Sequence, residues 1–188
     1  TRSQRISHEN LRLRDKAWLE GFERWFADRS AQQSGVPLAA SPTPPPPMFT
    51  PYKMRSVVLK NRVVVSPMAQ YSAIDGVAGD FHLAHLGARA LGGAALVFAE
   101  MTCVSAEARI TPGCAGLYKP EHVAAFKRIA DFIHTHTDAK FGIQIGHAGA
   151  KASTRVAWEG ADRPLPSGNW PLISASPQQY LEGVSDTS

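Results

Sequence analysis

The sequence predicts an α/β fold with a parallel sheet. Three short apolar runs have the length of buried strands, and two helical segments separate them, which gives the order β–α–β–α–β. The Gly-x-Gly-x-x-Gly sequence that an open dinucleotide-binding sheet needs is missing after the first run. We therefore favour a TIM (β/α)8 barrel over an open doubly wound sheet.

The first strand is predicted within the stretch Asn61–Tyr71. Its three consecutive valines, Val63–Val65, suit a strand that is buried on both faces. Pro67 has no N–H to donate to a sheet, so the strand must end before it. The preceding residues, Val57–Asn61, indicate a small hairpin that leads into this strand.

The remaining elements follow at βαβ spacing. Helices are predicted over Phe81–Leu91, ended by Gly92 and Gly93, and over Glu121–Thr135. Strands are predicted over Ala94–Ala99, which stops on Glu100, and over Ala139–Ile145. The apolar stripe of the second helix consists of Val123, Phe126, Ile129, Ala130 and Ile133. The Gly-, Pro-, Ser- and Trp-rich region that follows, out to Ser188, contains no clear element.

The chain before the first strand is predicted to have three parts. Residues 1–29 are helical, with Asp15 as a candidate N-cap. One face of this helix carries an aromatic stripe, which we expect to pack in a core or an interface. The stripe consists of Trp18, Phe22, Trp25 and Phe26. Residues 30–47 are rich in proline and favour a semi-rigid spacer over an SH3-type ligand, so residues 48–188 form a second unit.

Composition indicates a globular protein and argues against several classes of partner. The chain has 188 residues, of which 44% are hydrophobic and 19% charged, with a net charge of +4. Basic and acidic residues are mostly interspersed, so we expect no nucleic-acid partner. Cys103 and Cys114 lack the spacing of a disulfide framework or a zinc site, which indicates two unpaired thiols. The sequence shows no signal peptide and no apolar run of membrane length, so we expect no membrane partner and a cytoplasmic location.

The residues after the three strands form the candidate site. They are Ser66–Tyr71, Glu100–Thr102 and Gln144–Gly149, and a barrel places all three strand ends on one rim. They supply backbone amides, a primary amide, a phenol and an imidazole, without a carboxylate pair or a metal-ligand cluster. These groups are better suited to binding a planar, hydrogen-bonding cofactor than to catalysing hydrolysis. They also lack the nucleophile that an acyl-transfer reaction needs.

Several motifs, in the right order, resemble the old yellow enzyme family. They are Leu59–Arg62 with Ser66–Tyr71, Phe81–His85 and Gly142–Gly149, and the resemblance runs from about Met48 to Ser153. Members of this family are FMN-containing TIM-barrel oxidoreductases. The resemblance implies eight strands in about 250 residues. The chain is therefore expected to supply about the first three βα units of such a barrel.

The resemblance also implies roles for individual residues. The cofactor-binding residues are Ser66, Pro67, Met68, Ala69, Met101 and Gln144. The Ala69 N–H would reach the redox-active edge of the flavin, and the Gln144 amide would pair with its pyrimidine edge. Tyr71 would line the substrate side. Relatives often carry Cys or Thr at the position of Ala69, so tuning of the flavin potential by that side chain is expected to be absent. Relatives also often carry Arg at the position of Ala150, so substrate anchoring is expected to differ.

No catalytic residue is assigned in this chain. In the family, the histidine or histidine–asparagine pair that polarises the substrate lies on later strands. The arginine at the flavin ring and the loops that hold the FMN phosphate also come later. His147 is predicted to be structural, and His82 and His85 to be packing groups. We expect the isolated chain to bind FMN weakly and to have little activity.

A second resemblance concerns Arg5–Asp15. This segment is similar to the end of the FAD-dependent monooxygenase half of bifunctional aryl-CoA flavoproteins, such as salicylyl-CoA 5-hydroxylase/oxidoreductase and 2-aminobenzoyl-CoA monooxygenase/reductase. Together the two resemblances imply hydride transfer from NAD(P)H through FMN to an activated alkene, coupled to FAD-dependent hydroxylation of an aryl-CoA, with an aryl-CoA-derived dienone or enone as the small-molecule substrate. Two alternatives stay open, a stand-alone ene-reductase with an N-terminal interaction helix and a non-catalytic binding module. A homo-oligomer also stays open.

Overall fold

The computed structural model describes residues 8–38, 40–176 and 179–181. The chain forms two compact units, Thr1–Val63 and Val64–Ser188. The beginning of the predicted N-terminal helix, residues 1–7, lies outside the described residues. The first unit includes residues on both sides of the proline-rich segment, so the division between units falls after this segment.

The first unit consists of two helices followed by a hairpin. Its elements are α1 (His8–Arg14), α2 (Lys16–Ser34), a short 3-10 turn (Pro47–Phe49), β1 (Tyr52–Met54) and β2 (Val57–Leu59). The predicted N-cap is confirmed, because the Asp15 carboxylate accepts a hydrogen bond from the Trp18 N–H over 2.9 Å. Helix α2 ends only at Gly35, which adopts a φ of 72°. Ser30–Ser34 are therefore helical, and the linker begins later than predicted.

The aromatic stripe of α2 does not form its buried face. Trp18 is 59% exposed and Trp25 is 54% exposed. The rings contact one another instead, and Trp18 stacks on Phe22 at a centroid distance of 5.5 Å. The residues of α2 that are buried are Leu19, Glu23, Ala27, Ser30 and Ser34. Small side chains on this face let the backbone of the hairpin segment approach, and the Ser30 hydroxyl donates to the Pro51 carbonyl.

Arg62 joins the helix to the hairpin within the first unit. Its guanidinium carbon lies 4.8 Å from the ring centroid of Phe26 and 4.9 Å from that of Tyr52. Its Nε donates to the Thr50 hydroxyl over 3.2 Å. A planar cation that contacts two rings and a buried threonine fixes the helix on the hairpin.

The second unit contains a three-stranded parallel sheet. Its elements are β3 (Val64–Val65), α3 (Asp80–Leu91), β4 (Leu96–Cys103), α4 (Pro120–His136) and β5 (Lys140–Gly146). The strands are arranged in the order β3-β4-β5. Both pairings are parallel, with Val64 opposite Leu96 and Leu96 opposite Lys140. The predicted β–α–β–α–β order and parallel sheet are confirmed.

The core of this unit lies between β4 and the two helices. Its largest buried apolar side chains include Val97, Ile129 and Ile133. Val64 is 45% exposed, so the prediction of a strand buried on both faces was wrong for β3. Within the described sheet, β3 is an edge strand with β4 as its neighbour.

The buried face of α4 differs from the prediction at one position. Val123 is 56% exposed, whereas His122 is fully buried. The imidazole is satisfied on both sides, since its Nε2 lies 3.0 Å from the Asp75 carbonyl oxygen and its Nδ1 accepts from the Tyr118 N–H over 3.3 Å. A histidine with two such partners can take a core position that apolar periodicity assigns to valine.

Short turns occupy the region after β5 in which no clear element was expected. In the described part of this region they include the 3-10 turns Gly149–Lys151 and Ala157–Glu159. In the described part of the chain, no helix combines the length and the apolar character needed to cross a membrane.

Replacing Arg62 by lysine tests its role in the first unit. Arg62→Lys keeps the charge but loses the planar contact with both rings, so we expect the free energy of unfolding to fall by about 1–2 kcal/mol. Urea denaturation followed by tryptophan fluorescence measures this change. Arg55→Lys, at an exposed position, is the matched control. Equal effects of the two substitutions would contradict the proposed role.

Candidate functional site

The carboxyl ends of β3, β4 and β5 lie side by side, as predicted for a parallel sheet. Ala99 pairs with Ile143 and Met101 with Gln144, so the register shifts between Ala99 and Met101. Glu100 is therefore the extra residue of a bulge and has no register partner on β5. The expectation that β4 stops at Glu100 was wrong, because the strand continues to Cys103.

Glu100 connects three elements of the site. Its carboxylate is buried, with Oε1 2.9 Å from Nε2 of His82 in α3. Oε2 accepts a hydrogen bond from the Gln70 N–H, in the segment after β3, over 2.8 Å. His82 was predicted to be a packing group, and Glu100 was placed at a strand end of the candidate site without a specific role. The available signal was a carboxylate directly after an apolar strand, which needs partners if it is buried.

The segment after β3 leaves backbone groups open to a ligand. Ser66, Met68 and Ala69 are exposed, and Pro67 is half-buried. The Gln70 side chain donates to the Met68 carbonyl over 2.8 Å, which closes a local turn. Within the described ranges, the Ala69 N–H makes no hydrogen bond to protein. The structure thus places these four predicted residues together, next to the end of β4.

Gln144 lies across from Met101 on the neighbouring strand. The prediction that its side chain is buried in an apolar strand was wrong, because β5 is an edge strand of the described sheet and Gln144 is exposed. The structure shows no hydrogen-bond partner for its amide among the residues that it describes. Gly146 contributes to the local shape, since a Cβ there would lie 2.7 Å from Cγ of Met101.

Tyr71 is the last residue of the segment that follows β3. It is half-buried against the small cluster of Cys103, Ala108 and Cys114, and its ring lies 6.4 Å from that of Trp158. Burial, followed by the nearby Cys114, raises its pKa above the usual value of 10.0. The phenol is therefore protonated at neutral pH and can donate a hydrogen bond.

The backbone of Tyr71 depends on a glycine that the sequence analysis did not single out. Tyr71 adopts a φ of 50°, in the left-handed region. Gly113 packs directly against it, and a Cβ at residue 113 would lie 2.3 Å from the Tyr71 carbonyl oxygen. The Gly113 carbonyl also accepts from the Ala73 N–H over 3.0 Å. Gly113 thus fixes the start of the loop that follows residues Ser66–Tyr71, which we call the strand-end segment.

His85 and His147, the other two histidines considered in the sequence analysis, make no hydrogen bond to Glu100, Tyr71 or Gln144 among the described residues. The ring of His85 stacks on that of Phe81 at 6.0 Å. His147 is exposed, and its Nδ1 accepts from the Gly149 N–H over 3.0 Å. Both contacts are with residues close in sequence. Among the described residues, no three His, Cys, Asp or Glu side chains are grouped so that they could hold a metal ion.

Cys103 and Cys114 form a coupled pair beneath Tyr71. Both thiols are free and buried. The neighbouring Cys103 thiol lowers the pKa of Cys114 to about 7, with further help from Thr111, whose N–H donates to the Cys114 sulfur over 3.3 Å. The same contact, together with burial, raises the pKa of Cys103. Cys114 is therefore the thiol that ionises first.

Gly113→Ala tests the close approach to Tyr71. Because the new methyl group meets backbone rather than a flexible side chain, we expect the free energy of unfolding to fall by about 1–3 kcal/mol. Urea denaturation measures this loss, and near-ultraviolet circular dichroism reports displacement of Tyr71. The control is Gly21→Ala, at an exposed helix position with nothing within 4 Å of the added Cβ. An alanine tolerated equally at both positions would disprove the constraint.

Substitution of Cys103 tests the coupling of the two thiols. Cys103→Ser keeps a group that can donate to Cys114, whereas Cys103→Ala removes it and leaves only the groups of Thr111 and Ile110 to oppose the effect of burial. We expect the Cys114 pKa to stay low in the serine variant and to rise in the alanine variant. The ultraviolet absorbance of the thiolate, followed against pH, measures both. The same midpoint in the two variants would exclude the hydrogen bond as the cause.

Comparisons with known proteins show the family of this chain. The sequence profile of the NADH:flavin oxidoreductase / NADH oxidase family matches residues 47–178. An NADPH dehydrogenase from Listeria monocytogenes serotype 4a is 50% identical over 107 residues, which are 56% of this chain and 31% of that protein. An NADH:flavin oxidoreductase from Gibberella zeae is 38% identical over 137 residues, which are 72% of this chain and 33% of that protein.

The chain is also similar to proteins of known structure. Morphinone reductase is 28% identical, with a TM-score of 0.52, over 56% of this chain and 27% of its own. The old yellow enzyme from Pichia sp. AKU4542 is 25% identical, with a TM-score of 0.53, over 56% of this chain and 28% of its own. The chain spans about a third of the length of the curated relatives. The match extends over most of this chain, and the chain therefore belongs to the NADH:flavin oxidoreductase / NADH oxidase family.

Proposed function

We propose that this chain forms the N-terminal part of the FMN site of an oxidoreductase that moves hydride from NAD(P)H to an activated alkene. The observation that carries the proposal is the Gln144 amide, which has no partner among the described residues and lies beside Met101 at the ends of parallel strands. Family membership supports it, as do relatives named as an NADPH dehydrogenase and an NADH:flavin oxidoreductase.

The available groups fit the chemistry of FMN. The pyrimidine edge of a flavin carries both donors and acceptors, and a primary amide such as that of Gln144 offers one of each. The Ala69 N–H is a donor held by the backbone at a strand end, and it has no protein partner in the described structure. A fixed donor of this kind stabilises negative charge on a reduced cofactor. Ser66, Pro67 and Met68 supply the exposed surface that would lie along the ring.

FMN, when bound, would supply the hydride chemistry, accepting a hydride from the nicotinamide and donating it to the alkene. The role of this chain is to bind and orient it. In the proposal, Gln144 and the Met101 backbone fix the pyrimidine edge, and Ala69 stabilises the negative charge at the reactive edge. Tyr71, protonated at neutral pH, lines the substrate side as a hydrogen-bond donor.

The rest of the site would come from elements outside the described sheet. Three parallel strands are described here, whereas a complete (β/α)8 barrel has eight strands in about 250 residues. We propose that later strands provide the groups that polarise the alkene and hold the FMN phosphate. The isolated chain would accordingly bind FMN weakly.

We further propose that the helical segment before the proline-rich linker belongs to an FAD-dependent aryl-CoA hydroxylase fused to the barrel. The support is the resemblance of Arg5–Asp15 to the end of such hydroxylases and the helix that follows it, Lys16–Ser34. An aryl-CoA-derived dienone or enone would then be the substrate. Cofactor analysis of the full-length protein tests this, because fusion requires both FAD and FMN, whereas FMN alone would favour a stand-alone ene-reductase.

Gln144→Leu in the full-length protein tests the flavin site. Loss of both hydrogen bonds to the pyrimidine edge is expected to weaken FMN binding by about 100-fold. Fluorescence titration of the deflavinated protein with FMN measures the affinity. Gln32→Leu makes the same change at an exposed position of α2 and should leave the affinity unchanged.

Two outcomes would contradict the proposal. Unchanged FMN affinity in Gln144→Leu would remove Gln144 from the site. A full-length wild-type protein that is purified without FMN and does not bind it would refute the enzymatic role and support the alternative of a non-catalytic binding module.

A further inference from the structure

The buried pair of Glu100 and His82 has no place in the flavin-binding set described above. Both side chains are almost inaccessible, at 2% and 3% exposure. Burying a carboxylate is costly unless it is paired and hydrogen-bonded. A carboxylate buried at this cost, within the central strand of the candidate site, requires a specific explanation.

The two carboxylate oxygens of Glu100 serve different elements. Oε1 lies 2.9 Å from the His82 Nε2, which anchors the side chain to helix α3. Oε2 accepts from the Gln70 N–H over 2.8 Å, which anchors the segment after β3. The bulge releases Glu100 from register pairing with β5. A single side chain therefore fixes the strand-end segment relative to β4 and α3.

The surroundings of His82 define which nitrogen holds Glu100. Its Nδ1 is buried and has no hydrogen-bond partner in the part of the chain that is described. The proton of the ring is therefore best placed on Nε2, where a carboxylate accepts it. His82 acts on the strand-end segment through Glu100 and makes no hydrogen bond to that segment itself.

We propose that Glu100 is a positioning residue for the flavin. It holds the Gln70 N–H and thereby fixes the turn that contains the Ala69 N–H, the donor assigned to the reactive edge of FMN. This inference rests on the proposed function. It predicts that the geometry of the hydrogen bond, more than the charge of the carboxylate, determines how well the turn binds FMN.

A set of substitutions separates positioning from simple support of the fold. Glu100→Ala removes the acceptor. Glu100→Asp keeps the charge and shortens the reach by one methylene. Glu100→Gln removes the charge but keeps both contacts, because its oxygen accepts from the Gln70 N–H and its amino group donates to His82 once the ring proton moves to Nδ1. Glu121→Gln, on the exposed side of α4, is the matched control for loss of a charge.

The experiment uses the full-length protein and two measurements. Hydrogen exchange at the Gln70 amide reports the hydrogen bond directly, and titration with FMN reports its consequence. We expect Glu100→Ala and Glu100→Asp to accelerate exchange at Gln70 and to weaken FMN binding by about tenfold each, the effect of one lost hydrogen bond to a charged group. Glu100→Gln should stay within about threefold of wild type in both measurements, because it keeps a neutral hydrogen bond. If Glu100→Ala does not fold, the aspartate and glutamine variants still give opposite expected results.

Three outcomes would overturn the proposal. Unchanged exchange at Gln70 in Glu100→Asp would show that the hydrogen bond does not hold the turn. Accelerated exchange with unchanged FMN affinity would show that the turn is not used by the flavin. Equal losses in the glutamine and aspartate variants would assign the effect to general destabilisation. The proposed function fails separately, if the wild-type protein does not bind FMN although its Gln70 amide is protected.

Discussion

The structure of the second unit depends on the buried carboxylate of Glu100, both of whose oxygens have hydrogen-bond partners. Glu100 lies on the central strand, contacts His82 on the first crossover helix and accepts from Gln70 after the preceding strand. A buried anion without these partners would be strongly destabilising. The requirement to satisfy it links a bulge in β4, the docking of α3 and the path of the strand-end segment.

The order of elements follows from local patterns, and this is why the sequence predicts it. Apolar runs of strand length and helices with apolar stripes alternate along the second unit, and Pro67 ends the first strand. The sequence also indicates that the three strand ends meet, because parallel strands end at one edge of a sheet. Register pairing of Met101 with Gln144 agrees with that expectation.

Features that depend on distant residues could not be predicted in this way. Glu100 meets partners 18 and 30 positions away, and no pattern within a single helix or strand encodes these contacts. Gly113 is a similar case, since only the fold brings it against the Tyr71 carbonyl. Periodicity also did not show that α2 packs on the hairpin segment through the face that contains Ala27, Ser30 and Ser34 and not through its aromatic stripe. The coupling of Cys103 to Cys114 likewise arises from packing rather than from spacing.

The polar groups of the candidate site fall into two classes with different surroundings. Glu100 and His82 are buried and bonded to each other, and the Gln70 N–H is bonded to Glu100. Gln144 and the Ala69 N–H have no protein partners in the described structure, and both residues are exposed. A binding site needs both classes, because unsatisfied donors and acceptors give specificity for a ligand only if satisfied neighbours hold them in place. The division is what the proposed site requires, because Glu100 would hold the hydrogen-bonding surface in place and Gln144 and Ala69 would recognise the ligand.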